Sequence, residues 1–138
     1  MKYMIMLYGS QRDYDAMMGK AEDRPAWSGE QLAAMGAFME SFHHDLIESG
    51  EYVDAQGLDA PVHARRLQLV NGAAVVTDGP YPETQEVLAG YTVVECGSFD
   101  RATEIAARMA QCPPGPGGPE RYYLDVRPIV DGRDDLGL

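Results

Sequence analysis

Apolar and polar positions along the chain follow periods that change sharply from one segment to the next. Tyr3 to Tyr8 is apolar on both alternating faces, which predicts a central β-strand covered on each side. Gly9 to Pro25 is polar, with Met17 and Met18 its only strongly apolar pair, and reads as a long excursion with room for one helical turn around Tyr14 to Met18. A helix is then announced by Ser28 and Gln31, which form a capping box, with Trp27 and Leu32 in the staple positions on either side. Leu32, Met35, Met39, Phe42 and Leu46 recur at spacings of three and four and give that helix one inward stripe. Gly50 suits the left-handed position just beyond a terminus, so the helix is expected to end near Ser49.

Tyr52 to Leu58 follows as a short strand, and Asp59 to Ala64 as a loop broken by Pro61. Arg65 to Val70 and Ala73 to Thr77 flank Asn71-Gly72, the expected tight hairpin turn, which sets Leu69 opposite Ala74, Leu67 opposite Val76 and Arg65 opposite Asp78. Tyr91 to Cys96 is a further strand, and Ser98 caps a second helix whose stripe is Phe99, Ala102, Ile105, Ala106 and Met109. The prolines and glycines from Cys112 to Pro119 cannot continue that helix and form a stiff crossing loop. Tyr122 to Arg127 is the last strand, and Asp131 to Leu138 a polar, frayed tail.

This order predicts an α+β fold: a two-layer, ferredoxin-like sandwich with both helices on one face of a mostly antiparallel sheet of about six strands. Residues 1–130 would form the domain and 131–138 the tail. The other sheet face would stay bare although the first strand is apolar on both sides, so a homodimer through the sheet face is expected.

Composition narrows the partners. Of 138 residues 45% are hydrophobic, a globular balance, and the net charge of −11 repels phosphate backbones, which argues against nucleic acid. Apolar runs such as Met4 to Leu7 are too short to span a membrane, and no signal-peptide stretch opens the chain, so a soluble, cytoplasmic protein is expected. Cys96 and Cys112 lack any metal-binding or disulfide spacing and read as two reduced thiols. Neither a nucleotide-binding glycine loop nor a zinc-protease or serine-hydrolase motif is present.

The stretch Thr77-Asp78-Gly79-Pro80-Tyr81-Pro82-Glu83-Thr84-Gln85-Glu86 concentrates ionisable groups on a stiff connection between β-rich runs and is the leading site candidate. Asp78 can act as base or orienter with Arg65 countering its charge, or can simply shape the turn. Glu83 and Glu86 would share one side of a short helical turn, where they could hold a proton or a cation, or form a solvated edge. Tyr81 and Tyr91 read as packing residues or proton donors. His43 borders the first helix's apolar stripe and can look into a cavity; His44 stands with Glu40 and Glu48 on the solvated side. His63 lies in the loop before Arg65, within range of Asp78.

Asp78, Gly79, Pro80, Glu83, Thr84 and Glu86 match as they stand the signature Asp-Gly-Pro-Phe-Ala-Glu-Thr-Lys-Glu, with Tyr81, Pro82 and Gln85 as departures. On that stretch the chain resembles the DGPF-type branch of the YCII-related family. The likeness extends to the opening strand, to Glu48-Ser49-Gly50, to Gly90-Tyr91, to Ser98-Phe99-Asp100 and to Val126-Arg127-Pro128-Ile129. It implies a ferredoxin-like fold whose sheets pair into a dimeric α/β barrel. Some relatives are proposed small-molecule enzymes with a His/Asp pair; the histidine position falls near Met39 here, so the resemblance does not carry that pair over.

The resulting reading is a small-molecule enzyme or enzyme-like protein using acid/base chemistry without an organic cofactor or metal. Its catalytic residues would be Asp78, His43 and Arg65, with Tyr81, Glu83, Glu86, Tyr91 and His63 lining the pocket. The alternative is a non-catalytic metabolite-binding or regulatory dimer, linked through the resemblance to alternative sigma factor systems. A third possibility is a structural dimer module whose signature loop only locks the fold.

Overall fold

A computed structural model of the chain describes residues 1–116 and 122–132. The predicted tail beyond residue 132 and the stretch 117–121 of the crossing loop lie outside the described residues. Four antiparallel strands form the main sheet in the order β2 (Tyr52–Gly57), β5 (Val87–Glu95), β1 (Lys2–Gly9) and β6 (Asp125–Pro128). Strand β1 pairs on both sides, with Ile5 facing Thr92 and Val126, which is the central place its two-sided apolar pattern predicts.

Helix α2 (Gly29–Ser49) begins and ends on its sequence signals. Ser28 and Gln31 make the reciprocal capping box, and Gly50 takes a φ of 76° at the other end. Helix α3 (Phe99–Met109) starts on Ser98, whose hydroxyl accepts from the Arg101 amide. Both helices pack on the sheet face that presents Tyr3, Ile5, Val94 and Cys96, and Phe42 and Leu46 of α2 meet Ala102, Ile105, Ala106 and Met109 of α3 there. Ile5, Phe42, Val94 and Met109 are fully buried. Each such side chain contributes about 1.5–3 kcal/mol of transfer free energy, so this cluster is the fold's main source of stability. At its rim Arg108 binds Asp45 and lies over the Phe42 ring, and Arg101 holds Glu51 at 2.8 Å.

Four details differ from the pattern-based expectation, the smallest being that the last strand starts at Asp125 rather than Tyr122. Ser10 and Asp13 form a second capping box that starts a helix, α1 (Gln11–Met17), within the polar excursion. Strand β5 begins at Val87, because Leu88 and Val87 pair with Tyr8 and Gly9 past a bulge between Leu7 and Tyr8. Most consequentially, β3 (Arg65–Val70) and β4 (Ala73–Asp78) pair in the predicted register but form a two-stranded ribbon of their own. A short turn at Pro61–His63 swings the chain out of the sheet. The Gly79 amide, at a φ of 56°, donates to the Ala64 carbonyl at 2.7 Å and closes the ribbon's base. A side chain at Gly79 would be strained by that φ and would crowd the Val62 carbonyl, so glycine is required at this turn.

Candidate cavity beneath the first long helix

The inward stripe of α2 changes surroundings along its length. Phe42 and Leu46 are buried in the core, whereas Met35 and Met39, nearer the N-terminus, face a cavity of about 810 Å³. Its floor is the neighbouring ends of β1 and β5, including Leu7, Gly90 and Thr92; α1 contributes Asp13, Tyr14, Ala16 and Met17. Trp27 and the segment Cys112 to Pro116 close another side. Gly115 lies so close on the Trp27 indole that any side chain there would overlap the ring. A void of this size and lining has the dimensions and character of a small-molecule site.

Its polar groups come from several elements and loops. Burial alone would push the Asp13 carboxyl up, but the Ser10 amide at 2.8 Å, Arg24 at 2.6 Å and the Ser10 hydroxyl at 3.0 Å outweigh it and hold its pKa below the ordinary carboxylate value. His43 stands on the wall with Nε2 at 3.5 Å from Thr92 Oγ1, and burial lowers its pKa. Burial likewise raises the Tyr14 phenol, which donates to the Leu58 carbonyl at 2.8 Å. At the opening, Tyr123 donates to Glu86 at 2.5 Å, and that bond is the chief cause of a phenol pKa pushed up to about 12. Tyr123 also stacks on Tyr8, whose hydroxyl donates to Asp125 at 2.7 Å.

The residues singled out from the sequence are divided among three places. His43 and Glu86 line the large cavity; Tyr91 borders it from β5, with its side chain on the opposite sheet face and its hydroxyl turned to Asp54 at 3.4 Å. His63 and Tyr81 line a smaller recess of about 350 Å³ with Leu58, Pro61 and Leu88; His63 pairs with Asp59 at 3.0 Å, and Arg66 lies over the Tyr81 ring. Arg65 and Asp78 bind each other at 2.7 Å at the ribbon's root, with side chains 71% and 76% exposed, and neither lines the cavity or the recess. Glu83 and Glu86 do not share a helical turn. Glu83 approaches Arg12 at 3.9 Å, and its carbonyl takes the Arg12 amide, which ties the signature loop to α1. His44 pairs with Glu48 at 3.2 Å on the exposed side of α2.

Comparison with known proteins decides the family. The YCII-related domain model matches residues 1–117, which is most of the chain. The chain belongs to the YCII-related domain family. A curated relative, an uncharacterised protein of Rhizobium meliloti (strain 1021), is 29% identical over 105 residues, covering 76% of this chain and 81% of its own. In this YCII-related chain Met39 sits on the cavity wall one turn before His43, so the only histidine on that wall among the described residues is supplied by the following turn of the same helix.

Sequence reasoning missed Asp13, Arg24, Tyr8 and Tyr123. The Ser10-x-x-Asp13 spacing was a usable signal for the first, being the same box pattern that marks Ser28 and Gln31. Arg24 and Tyr123 carry no local signal, because each meets its partner only through the tertiary fold. Among the described residues no three His, Cys, Asp or Glu side chains are grouped to hold a metal, and no helix is long and apolar enough to cross a membrane.

Proposed function

We propose that this YCII-related protein is a small-molecule enzyme or enzyme-like protein working by acid/base chemistry, without an organic cofactor, in the cavity beside the Asp78–Glu86 loop. The observation that carries this reading is His43, an imidazole whose pKa burial lowers, on the wall of a cavity of about 810 Å³. At neutral pH such a ring is uncharged and holds a lone pair that can take a proton from a bound molecule. Thr92 orients it through the 3.5 Å contact. In this reading the ligand passes Thr84 and Glu86, rests on Met35, Met39 and Trp27, and gives up its proton to His43. Asp78 and Arg65 act as the brace that fixes the loop's departure from the ribbon, and Glu83 secures the loop to α1.

The test is a thermal-shift screen of small acids, lactones and aromatic metabolites on the wild type, His43→Gln and Asp78→Asn, followed by product analysis for each hit. A ligand of the native state raises apparent stability. Conversion by the wild type that disappears in His43→Gln supports the reading; conversion undiminished in His43→Gln overturns it. Loss of both binding and conversion in Asp78→Asn would move the chemistry to the ribbon's root.

The regulatory alternative draws on a different observation: Asp13 is tied to Arg24, and Glu86 to Tyr123, two pairs on the cavity wall that suit holding a ligand as well as changing it. A hit that stabilises the protein without conversion would favour it. A homodimer through the sheet face belongs to the same proposal. Strand alternation puts Met4, Met6, Tyr91 and Val93 on the face away from α2 and α3, where Met4 pairs with Val93 and Met6 with Tyr91. A second copy would cover Met4, Met6 and Tyr91, which are half-buried, Val93 being buried already, and the mass in solution by light scattering tests it. Both cysteines are free thiols, in keeping with a cytoplasmic setting.

A further inference from the structure

Resting on the cavity reading above, we infer that the site selects a ligand with an apolar body of one or two rings and a head group that is not anionic, such as a hydroxyl, amide or carbonyl, and turns away carboxylates and phosphates. The cations on the wall are Arg12 and Arg24, and both are already committed. Arg24 Nη1 lies 2.6 Å from Asp13 Oδ1, and Asp13 is also held by the amide and hydroxyl of Ser10 at the start of α1. Arg12 binds Asp23 and approaches Glu83, while its amide is bonded to the Glu83 carbonyl. An anionic head group would have to share a guanidinium with a carboxylate already bound to it and would stand close to that like charge. Glu86 at the opening adds a further negative charge whose partner, Tyr123, is a neutral phenol. The chain's net charge of −11 repels anions before they arrive.

What the wall offers instead is apolar surface and neutral hydrogen-bonding groups. Leu7, Met17, Trp27, Met35 and Met39 supply the first. His43, with Thr92 behind it, and the hydroxyl of Thr84 supply the second. A cavity of about 810 Å³ accommodates such a molecule with room to spare.

Three probes with one body and different heads separate charge from shape: cinnamamide, cinnamate and cinnamylammonium. Calorimetric titration should show saturable binding of the amide, with cinnamate weaker by about tenfold or more. Trp27, the single tryptophan of the chain, reports the same event by its fluorescence. Asp13→Asn releases Arg24 and should narrow the preference for amide over carboxylate. Glu86→Gln, which leaves the α1 cap intact, should narrow it independently. Cinnamate binding to the wild type as tightly as the amide, or more tightly than cinnamylammonium, overturns the inference while leaving the acid/base reading standing. A retained preference for the amide together with conversion undiminished in His43→Gln overturns that reading and leaves this one. Absence of saturable binding by all three overturns the inference.

Discussion

The β3–β4 ribbon and the cavity under α2 are built from similar residues and put them to opposite use. On the ribbon Leu67 and Leu69 are 63% and 74% exposed, and its Arg65–Asp78 pair is surrounded by water. Under α2, Met35 and Met39 are half-buried, and the Asp13–Arg24 pair has side chains only 37% and 28% exposed. A charge pair in water is screened and changes little when a partner is lost; one against a low-dielectric wall is felt by anything that binds there. Enclosure, rather than the density of ionisable residues in a loop, separates a surface brace from a site.

The largest test of this contrast is stability. Phe42→Ala, in the core that anchors α2, should cost about 3–5 kcal/mol in urea denaturation. Leu69→Ala on the ribbon should stay within about 0.5 kcal/mol. A ribbon substitution as damaging as the core one would mean that the ribbon is covered in solution. Next in size, Ser10→Ala removes the α1 cap and one of the bonds holding Asp13, and should cost about 1 kcal/mol by the same measurement. A double-mutant cycle on Arg65 and Asp78 should return a coupling of at most about 1 kcal/mol, shrinking as salt is added.

The finest test is the pH dependence of His43. Its folded pKa lies below the ordinary value of 6.5, so the unfolded chain takes up a proton first as the solution is acidified. Stability should therefore be unaffected by this group above that value and should fall as pH drops through the window between 6.5 and the lower folded value. Comparing denaturation curves of the wild type and His43→Gln across that window isolates the slope. An identical slope in both would place His43 in water and remove the distinction between wall and ribbon.

Local chemistry made much of the fold legible. The Ser28 box and Gly50 mark both ends of α2, and Asn71-Gly72 sets the pairing of Arg65 with Asp78, because each is decided by residues within a few positions of one another. The ribbon's separation from the main sheet was not legible, since a hairpin's own register is the same whether or not a neighbour pairs with its edge. The candidate site divides in the same way. His43 was visible as a residue beside an apolar stripe, while the signature loop drew attention to Asp78, which is rich in local signal and poor in surroundings.

The sequence by itself determined which segments form helices and strands, where most of them start and stop, and which faces are apolar. Those are properties of hydrogen bonds and side-chain periodicity over a few residues. Only the tertiary structure decided that Gly115 seats on Trp27, that Arg24 is spent on Asp13, and that α2 parts from the sheet at Met35 and Met39 to leave a cavity. A void is bounded by side chains distant in the chain, and its existence depends on how closely whole layers approach, which no local pattern records.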